Sequence, residues 1–226
     1  MKKVERRGLA GDAADRIRDA ILDGTFLPGA ALREVELAAT LGIGRGAVRE
    51  ALASLEHEGL VQSEWHRGTR VTDVTPEVAE EVYTLRATIE RLASTLAAQR
   101  ATPAELAELD DVVDRMAAAV ESGADAVDLL ALDIEFHDRV YRAARHRRLS
   151  EAWLALRSSV RLCQLTRIRL GRAGYRGLVV DEHRELVELL RGTASKRLAR
   201  VAEEHVLGAM TALTKDLTPE PEVQQS

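Results

Sequence analysis

Between Glu77 and Gln99 the apolar residues Val78, Val82, Leu85, Ile89, Leu92 and Leu96 step by 4, 3, 4, 3 and 4 positions. Only an α-helix gathers that spacing onto one face, since a strand would send alternate residues to opposite sides. The pattern predicts one long helix whose stripe is buried against neighbours. Pro76 suits a first helical position, which puts a domain boundary near Thr75. Beyond it, 103–120, 126–144, 149–170, 177–191 and 194–217 also read as helices, divided by glycines or short polar breaks. Six helices of this length fit an antiparallel bundle. With aromatics at 3 %, helix-on-helix packing is expected rather than a β-sandwich.

The expected organisation is a mainly α chain: a small domain over 1–75, the bundle over 76–218, and a flexible tail over 219–226. Apolar residues at 46 % and a net charge of −5 exclude a disordered chain. Cys163 is the single cysteine, so no intrachain disulfide framework exists. No apolar run approaches the ~18 residues that span a bilayer. The basic start Lys2-Lys3 is followed by Gly11-Asp12-Ala13-Ala14-Asp15, which breaks any signal-peptide core. A cytoplasmic protein without a membrane partner is expected.

Residues 1–75 are cut short by Gly24, Pro28-Gly29, Gly42, Gly44, Gly59 and Gly68. They read as a helix over 13–22, a second over 33–41, a tight Gly42-Ile43-Gly44 turn, and a third over 45–58. Two short strands over 61–64 and 69–72 follow, with Trp65-His66-Arg67-Gly68 at their tip. This order is that of a winged helix-turn-helix, whose third helix enters the major groove and reads base edges with its first residues. Arg45 and Arg49, four apart on that helix, can offer bidentate donors to guanine, each worth ~1–3 kcal/mol of discrimination. On the wing, His66, Arg67 and Arg70 can reach phosphates or the minor groove. A generic basic patch is absent, because residues 1–75 hold 11 basic and 12 acidic side chains. DNA binding therefore rests on the placement of a few arginines; with those arginines merely solvated, the module would bind protein instead.

The residues Pro28-Gly29-x-x-Leu32-x-Glu34-x-Glu36-Leu37-Ala38, then Val48-Arg49-Glu50-Ala51-Leu52-x-x-Leu55-Glu56-x-Glu58-Gly59-Leu60-Val61, then Gly68-x-x-Val71, resemble the N-terminal domain of GntR-family bacterial transcription regulators. The resemblance implies DNA contacts from Arg33, Arg45, Arg49, His66 and Gly68. It also departs from the family pattern: Gly44-Arg45-Gly46-Ala47-Val48-Arg49 stands where Ser-Arg-Thr-Pro-Val-Arg is usual. The capping hydroxyls are lost, although glycine is tolerated as an N-cap and the helix N-terminus can still hold a phosphate.

Four ionisable side chains fall on stripes expected to face inward. Asp133 and His137 lie one turn apart within Ala126, Leu130, Asp133, His137, Val140 and Ala144; His183 sits with Val179, Leu186 and Leu190; His205 sits with Leu198, Val201, Gly208 and Ala212. Ionisable groups seldom occupy such positions without a partner. One carboxylate and three imidazoles from three helices can converge on a divalent cation: zinc first, with nickel, copper, iron or manganese also matching the donors. The other reading of each histidine is a hydrogen-bonded core residue. Asp133-x-x-Phe136-His137, Glu182-His183-x-x-Leu186 and Glu204-His205 resemble the FCD ligand-binding domain of the FadR-type branch, and the helix count its VanR-like subgroup. That resemblance implies an Asp and three His on a metal. Arg145-His146 departs from a common Asn, and Thr193 from a common Asp.

Arg86, in Tyr83-x-x-Arg86-x-x-x-Glu90, falls where the family lines its effector pocket with an arginine; without that role it would form an i,i+4 pair with Glu90. Residues 139–176 hold 11 arginines against Glu151 alone. Among them Arg157 and Arg161, one turn apart, are expected to help Arg86 clamp a small anionic metabolite. The expected protein is a homodimeric, metabolite-responsive repressor on an inverted-repeat operator. Two alternatives stand beside it: a metal-dependent hydrolase or isomerase with a winged-helix adaptor, with Glu90 the nearest candidate base, and a regulator whose histidines bind an organic ligand without metal. Cys163 is expected to be a buried apolar side chain.

Overall fold

The computed structural model describes residues 8–171, 175–192 and 196–218, and it divides into two compact units, Met1–Val74 and Thr75–Ser226. The expected tail over 219–226 and Thr193 lie outside the described residues.

In the first unit, α1 (Leu9–Leu22) packs Ile17, Ile21 and Leu22 against α3 (Arg45–His57), which buries Val48, Ala51, Leu52 and Leu55. Arg18 ties the pair with two 2.7 Å bonds to Glu58. Between them, α2 (Glu34–Leu41) ends at Gly42, whose φ of 66° is the left-handed conformation that glycine adopts without strain. Gly44 is the N-cap of α3 and makes no side-chain cap bond, as its missing hydroxyl requires. The wing is formed by β2 (Val61–Glu64) and β3 (Gly68–Val71), and β1 (Ala31–Leu32) adds a third antiparallel strand on the other side of β3. That two-residue strand is too short to leave a periodic signal in sequence.

The second unit is a bundle of α4 (Pro76–Arg100), α5 (Pro103–Glu121), α6 (Ala126–Ala143), α7 (Arg147–Arg169), α8 (Tyr175–Arg191) and α9 (Lys196–Leu217). Local chemistry fixes their starts. The Thr75 hydroxyl accepts from Val78 N, Thr102 and Glu105 form a reciprocal capping box, and Asp125 accepts from Val127 N. His146 caps α7 through Nδ1, which accepts from Leu149 N at 3.2 Å.

One expectation is overturned. The apolar stripe of α4 faces outward: Leu85 and Leu92 are 54 % and 45 % exposed, and Val78, Val82, Ile89 and Leu96 are half-buried. The buried face carries Ala79, Tyr83, Arg86, Ala87, Glu90, Ala93, Ser94 and Ala97. Small residues let α9 approach closely along that face, and Arg86 and Glu90 tolerate burial because their charges oppose one another. The interior thus lies on the side of this helix opposite its apolar stripe, because hydrophobicity alone does not identify a face built to hold ions.

Candidate metal centre and DNA-reading surface

Helix α6 aims Asp133 and His137 into the bundle one turn apart, α8 brings His183 and α9 brings His205. One ligand atom from each of the four lies within 4.8 Å of the others, so this cluster could hold a metal ion. His183 Nε2 stands 3.2 Å from Asp133 Oδ1, and His137 Nε2 stands 4.0 Å from the same oxygen. Donors each about 2.1 Å from one ion stand roughly 3 to 4.2 Å apart, so the widest separation, within 4.8 Å, would close by up to about 0.6 Å around an ion.

Each imidazole is oriented by its other nitrogen. His183 Nδ1 donates to the Val179 carbonyl at 2.6 Å, an oxygen that can only accept, which leaves Nε2 as the lone-pair nitrogen of the neutral ring. His137 Nδ1 meets Glu90 Oε1 at 2.8 Å, and His205 Nδ1 meets Glu182 Oε2 at 2.9 Å. All three rings therefore turn Nε2 to the centre, the orientation that outer partners impose on metal ligands. Among the described residues, His137 Nε2, His183 Nε2 and Asp133 Oδ2 are buried without a hydrogen-bond partner. Orphaned buried acceptors are costly, and a cation is what this donor set would satisfy.

The electrostatics favour ligating forms. Burial pushes the His205 imidazole down to about 4, so the ring is neutral at pH 7. Burial alone would raise Asp133, but the imidazoles of His183 and His137 packed on it and the Arg86 guanidinium hold the carboxyl well below the usual range. Glu90 follows the same logic: burial opposes its ionisation, and the His137 imidazole and Arg86 guanidinium outweigh it. Glu90 is consequently committed to His137 and, at 3.8 Å, to Arg86. The base that the enzyme alternative requires is not spare.

Beside the cluster lies a cavity of about 250 Å³, lined by Arg86, Asp133, Gln164, Arg167 and His205, with Ala209 among its apolar walls. Arg86 is 1 % exposed and lies over the Trp153 ring, 5.5 Å from its centroid. Its Nε and Nη2 have no hydrogen-bond partner among the described residues, and neither has Gln164 Oε1. Arg157 and Arg161 do not line the cavity. Arg157 binds Asp138 through Nε and Nη2 at 2.8 and 2.7 Å, bracing the carboxylate that also accepts from Trp153 Nε1. The arginine of α7 that reaches the cavity is Arg167, with Gln164 one turn before it. The clamp expected from Arg157 and Arg161 is therefore not what lines the cavity: Asp138 holds Arg157, and the α7 side chains on the wall are Gln164 and Arg167.

In the first unit, Arg45 opens α3 and Arg49 follows one turn later, both exposed. Arg49 donates from Nε and Nη2 to the two carboxylate oxygens of Glu34, at 3.0 and 2.9 Å. Arg33 is the N-cap residue of α2 and bonds Glu36, while Arg67 bonds Glu64. His66 and Gly68 take positive φ of 64° and 75° at the wing tip. Trp65 beside them is 88 % exposed, and its ring meets the His66 ring edge-on at 5.0 Å. Two acidic residues at the end of α3 have structural work, Glu58 on Arg18 and Glu56 on the Ser63 amide. Arg70 bonds the Gly29 carbonyl.

Comparison with known proteins agrees with both units. Residues 9–71 match the model of bacterial regulatory proteins of the gntR family, and residues 81–208 match that of the FCD domain. The Bacillus subtilis HTH-type transcriptional regulator YdhC is 26 % identical over 85 % of this chain and 84 % of its own. A Paenarthrobacter nicotinovorans relative named as a D-xylose utilization operon transcriptional repressor is 34 % identical over 69 % of this chain and 68 % of its own. A GntR-type transcriptional regulator from Rhodococcus sp. RHA1 aligns with a TM-score of 0.71 and 25 % identity, over 91 % of this chain and 97 % of that one. E. coli McbR/YncC aligns at 0.76 with 20 % identity over 93 % and 99 %, a likeness of fold alone.

Proposed function

Because this chain belongs to the GntR family of bacterial transcription regulators, in the group that carries an FCD domain, we propose that it is a metal-loaded, effector-responsive repressor that binds an inverted-repeat operator as a homodimer. As a GntR regulator it is a DNA-binding transcription factor and not an enzyme, and its FCD domain is of the kind that binds small-molecule effectors. The single observation that carries the finer reading is the agreement of three imidazoles, each with Nδ1 spent on a protein acceptor and Nε2 turned toward Asp133.

Asp133, His137, His183 and His205 would hold the ion, zinc ahead of nickel, manganese or iron. When bound, it supplies a Lewis-acidic seat for an oxygen of the effector. This chain's own contribution is the cationic cavity beside it, where Arg86 and Arg167 suit a small carboxylate. An effector that prefers one arrangement of the protein shifts operator affinity by its differential binding, typically ~1–3 kcal/mol.

The outward face of α4 is the proposed dimer seam. Its apolar spacing is that of a helix that pairs with another. Exposed Glu77, Glu80 and Glu81 lie in its first half, and exposed Arg91 and Arg100 in its second. Antiparallel pairing with a second copy would set opposite charges together. Arg45, Arg49, Arg33 and the His66–Gly68 tip would meet the operator. No described helix is long and apolar enough to cross a membrane, and a cytoplasmic regulator is proposed.

The test is elemental analysis of purified wild-type protein beside His183→Ala and His205→Ala. One equivalent of metal in the wild type, lost from both variants, is the expected result; metal that survives both substitutions overturns the site.

A further inference from the structure

Three arginines of the DNA-facing surface carry a carboxylate partner, but not in the same way. Arg33 and Arg67 each make one bond to a carboxylate three residues away on their own stretch of chain. Arg49 is held across two elements, from α3 to the first residue of α2, by both oxygens of Glu34 at once. A guanidinium has two edges able to make paired bonds. Glu34 occupies the Nε/Nη2 edge, which leaves Nη1 and the second proton of Nη2 as a forked donor pair at the far end.

Stability does not explain the pair. The Arg49 side chain is 69 % exposed and that of Glu34 32 %, a setting in which ion pairs contribute little to folding. A flexible, exposed arginine must lose its rotamer freedom when it reads a base, and a two-pronged clasp removes that freedom beforehand. The same carboxylate also lowers the net positive charge of a surface that must approach phosphates, which works against indiscriminate binding.

We propose that Glu34 is a specificity-determining positioning residue: it fixes Arg49 with its far edge forward for base reading and repels DNA that offers only phosphates. This rests on the reading of Arg49 as a base-contacting residue.

The experiment uses the full chain and two probes: a duplex enriched from a random pool by the wild-type protein, and an unselected random duplex of equal length. Glu34→Ala should weaken binding of the enriched duplex about tenfold and leave the random duplex unchanged or bound up to about threefold more tightly. Glu34→Gln, which keeps one acceptor, should fall between. A structural defect would weaken both probes together, so a loss confined to the enriched duplex is diagnostic. In an Arg49→Ala background, Glu34→Ala should not lower the ratio further.

An unchanged ratio in Glu34→Ala overturns the proposal. So does an equal drop in the Arg49→Ala background, which would mean that Glu34 contacts DNA itself. If Arg49→Ala alone keeps the ratio, the base-reading role of Arg49 falls, and the proposal with it. Failure of the wild type to enrich any sequence overturns the DNA-reading assignment as a whole.

Discussion

Replacing Glu90 with glutamine keeps the shape of a fully buried side chain and removes its charge. The amide oxygen can still accept from His137 Nδ1, now 2.8 Å from Glu90 Oε1, but the negative charge facing the buried Arg86 guanidinium is gone. Loss of a charged partner behind a ligating imidazole typically lowers metal affinity 10- to 100-fold. Linkage turns that into stability. At free metal 100 times the wild-type Kd, binding stabilises the folded state by about 2.7 kcal/mol. A 10-fold weaker site gains about 1.4 and a 100-fold weaker one about 0.4 kcal/mol, so the variant should lose about 1.3–2.3 kcal/mol of metal-dependent stability. Uncompensated Arg86 adds about 3–5 kcal/mol of metal-independent loss. Urea unfolding with and without chelator separates the two, and competition with a chelating dye gives the affinity directly. Metal affinity within twofold of wild type, with an unchanged unfolding midpoint in chelator, would refute the assignment of Glu90 as the orienting partner of His137.

Leu85→Glu and Leu92→Glu should yield monomers by analytical ultracentrifugation with Tm of the isolated protomer preserved, whereas unfolding of both would return these residues to the core. Cys163, buried and with its thiol pushed up to about 12 by that burial, should resist a thiol reagent at pH 8 until the chain is denatured; rapid labelling of native protein would contradict the burial. In chelator, stability should fall as pH drops from 6.5 toward 4. His205 is lowered to about 4 by burial and Asp133 lies below its ordinary range, so across that window the unfolded chain binds more protons than the folded one. A midpoint that is flat or rises on acidification would show the sign to be wrong.

How much of this was legible in sequence depended on what each signal measures. Histidines on the stripes of α6, α8 and α9 were readable because the flanking residues there are apolar and the helices bury them: Leu130, Val140, Val179, Leu186 and Leu198 are all buried. The same logic failed on α4, whose buried face carries alanines, an arginine and a glutamate, while its leucines face outward. Periodicity identifies an apolar face but not what covers it. The orienting roles of Glu90 and Glu182 were invisible because each depends on a contact between helices far apart in sequence. Arg157 was misplaced for the complementary reason: Asp138, 19 positions away, holds it. In the DNA-facing unit the fixed spacings around two glycine turns gave the order of helices and wing, yet nothing in them foretold that Glu34 would clasp Arg49.

The sequence contains two tryptophans, and they fall one to each unit. Trp65 stands in water at the wing tip, while Trp153 is 2 % exposed, stacked on Tyr141 with ring planes 6° apart and capped by Arg86. Two indoles in such unlike surroundings emit differently: one red-shifted and open to iodide, the other blue-shifted and shielded from it. The molecule thus carries a separate optical channel for each half. An operator arriving at the wing would dim the first, an anion drawn to Arg86 would perturb the second, and the order in which the two respond could be timed in a single cuvette without any added dye.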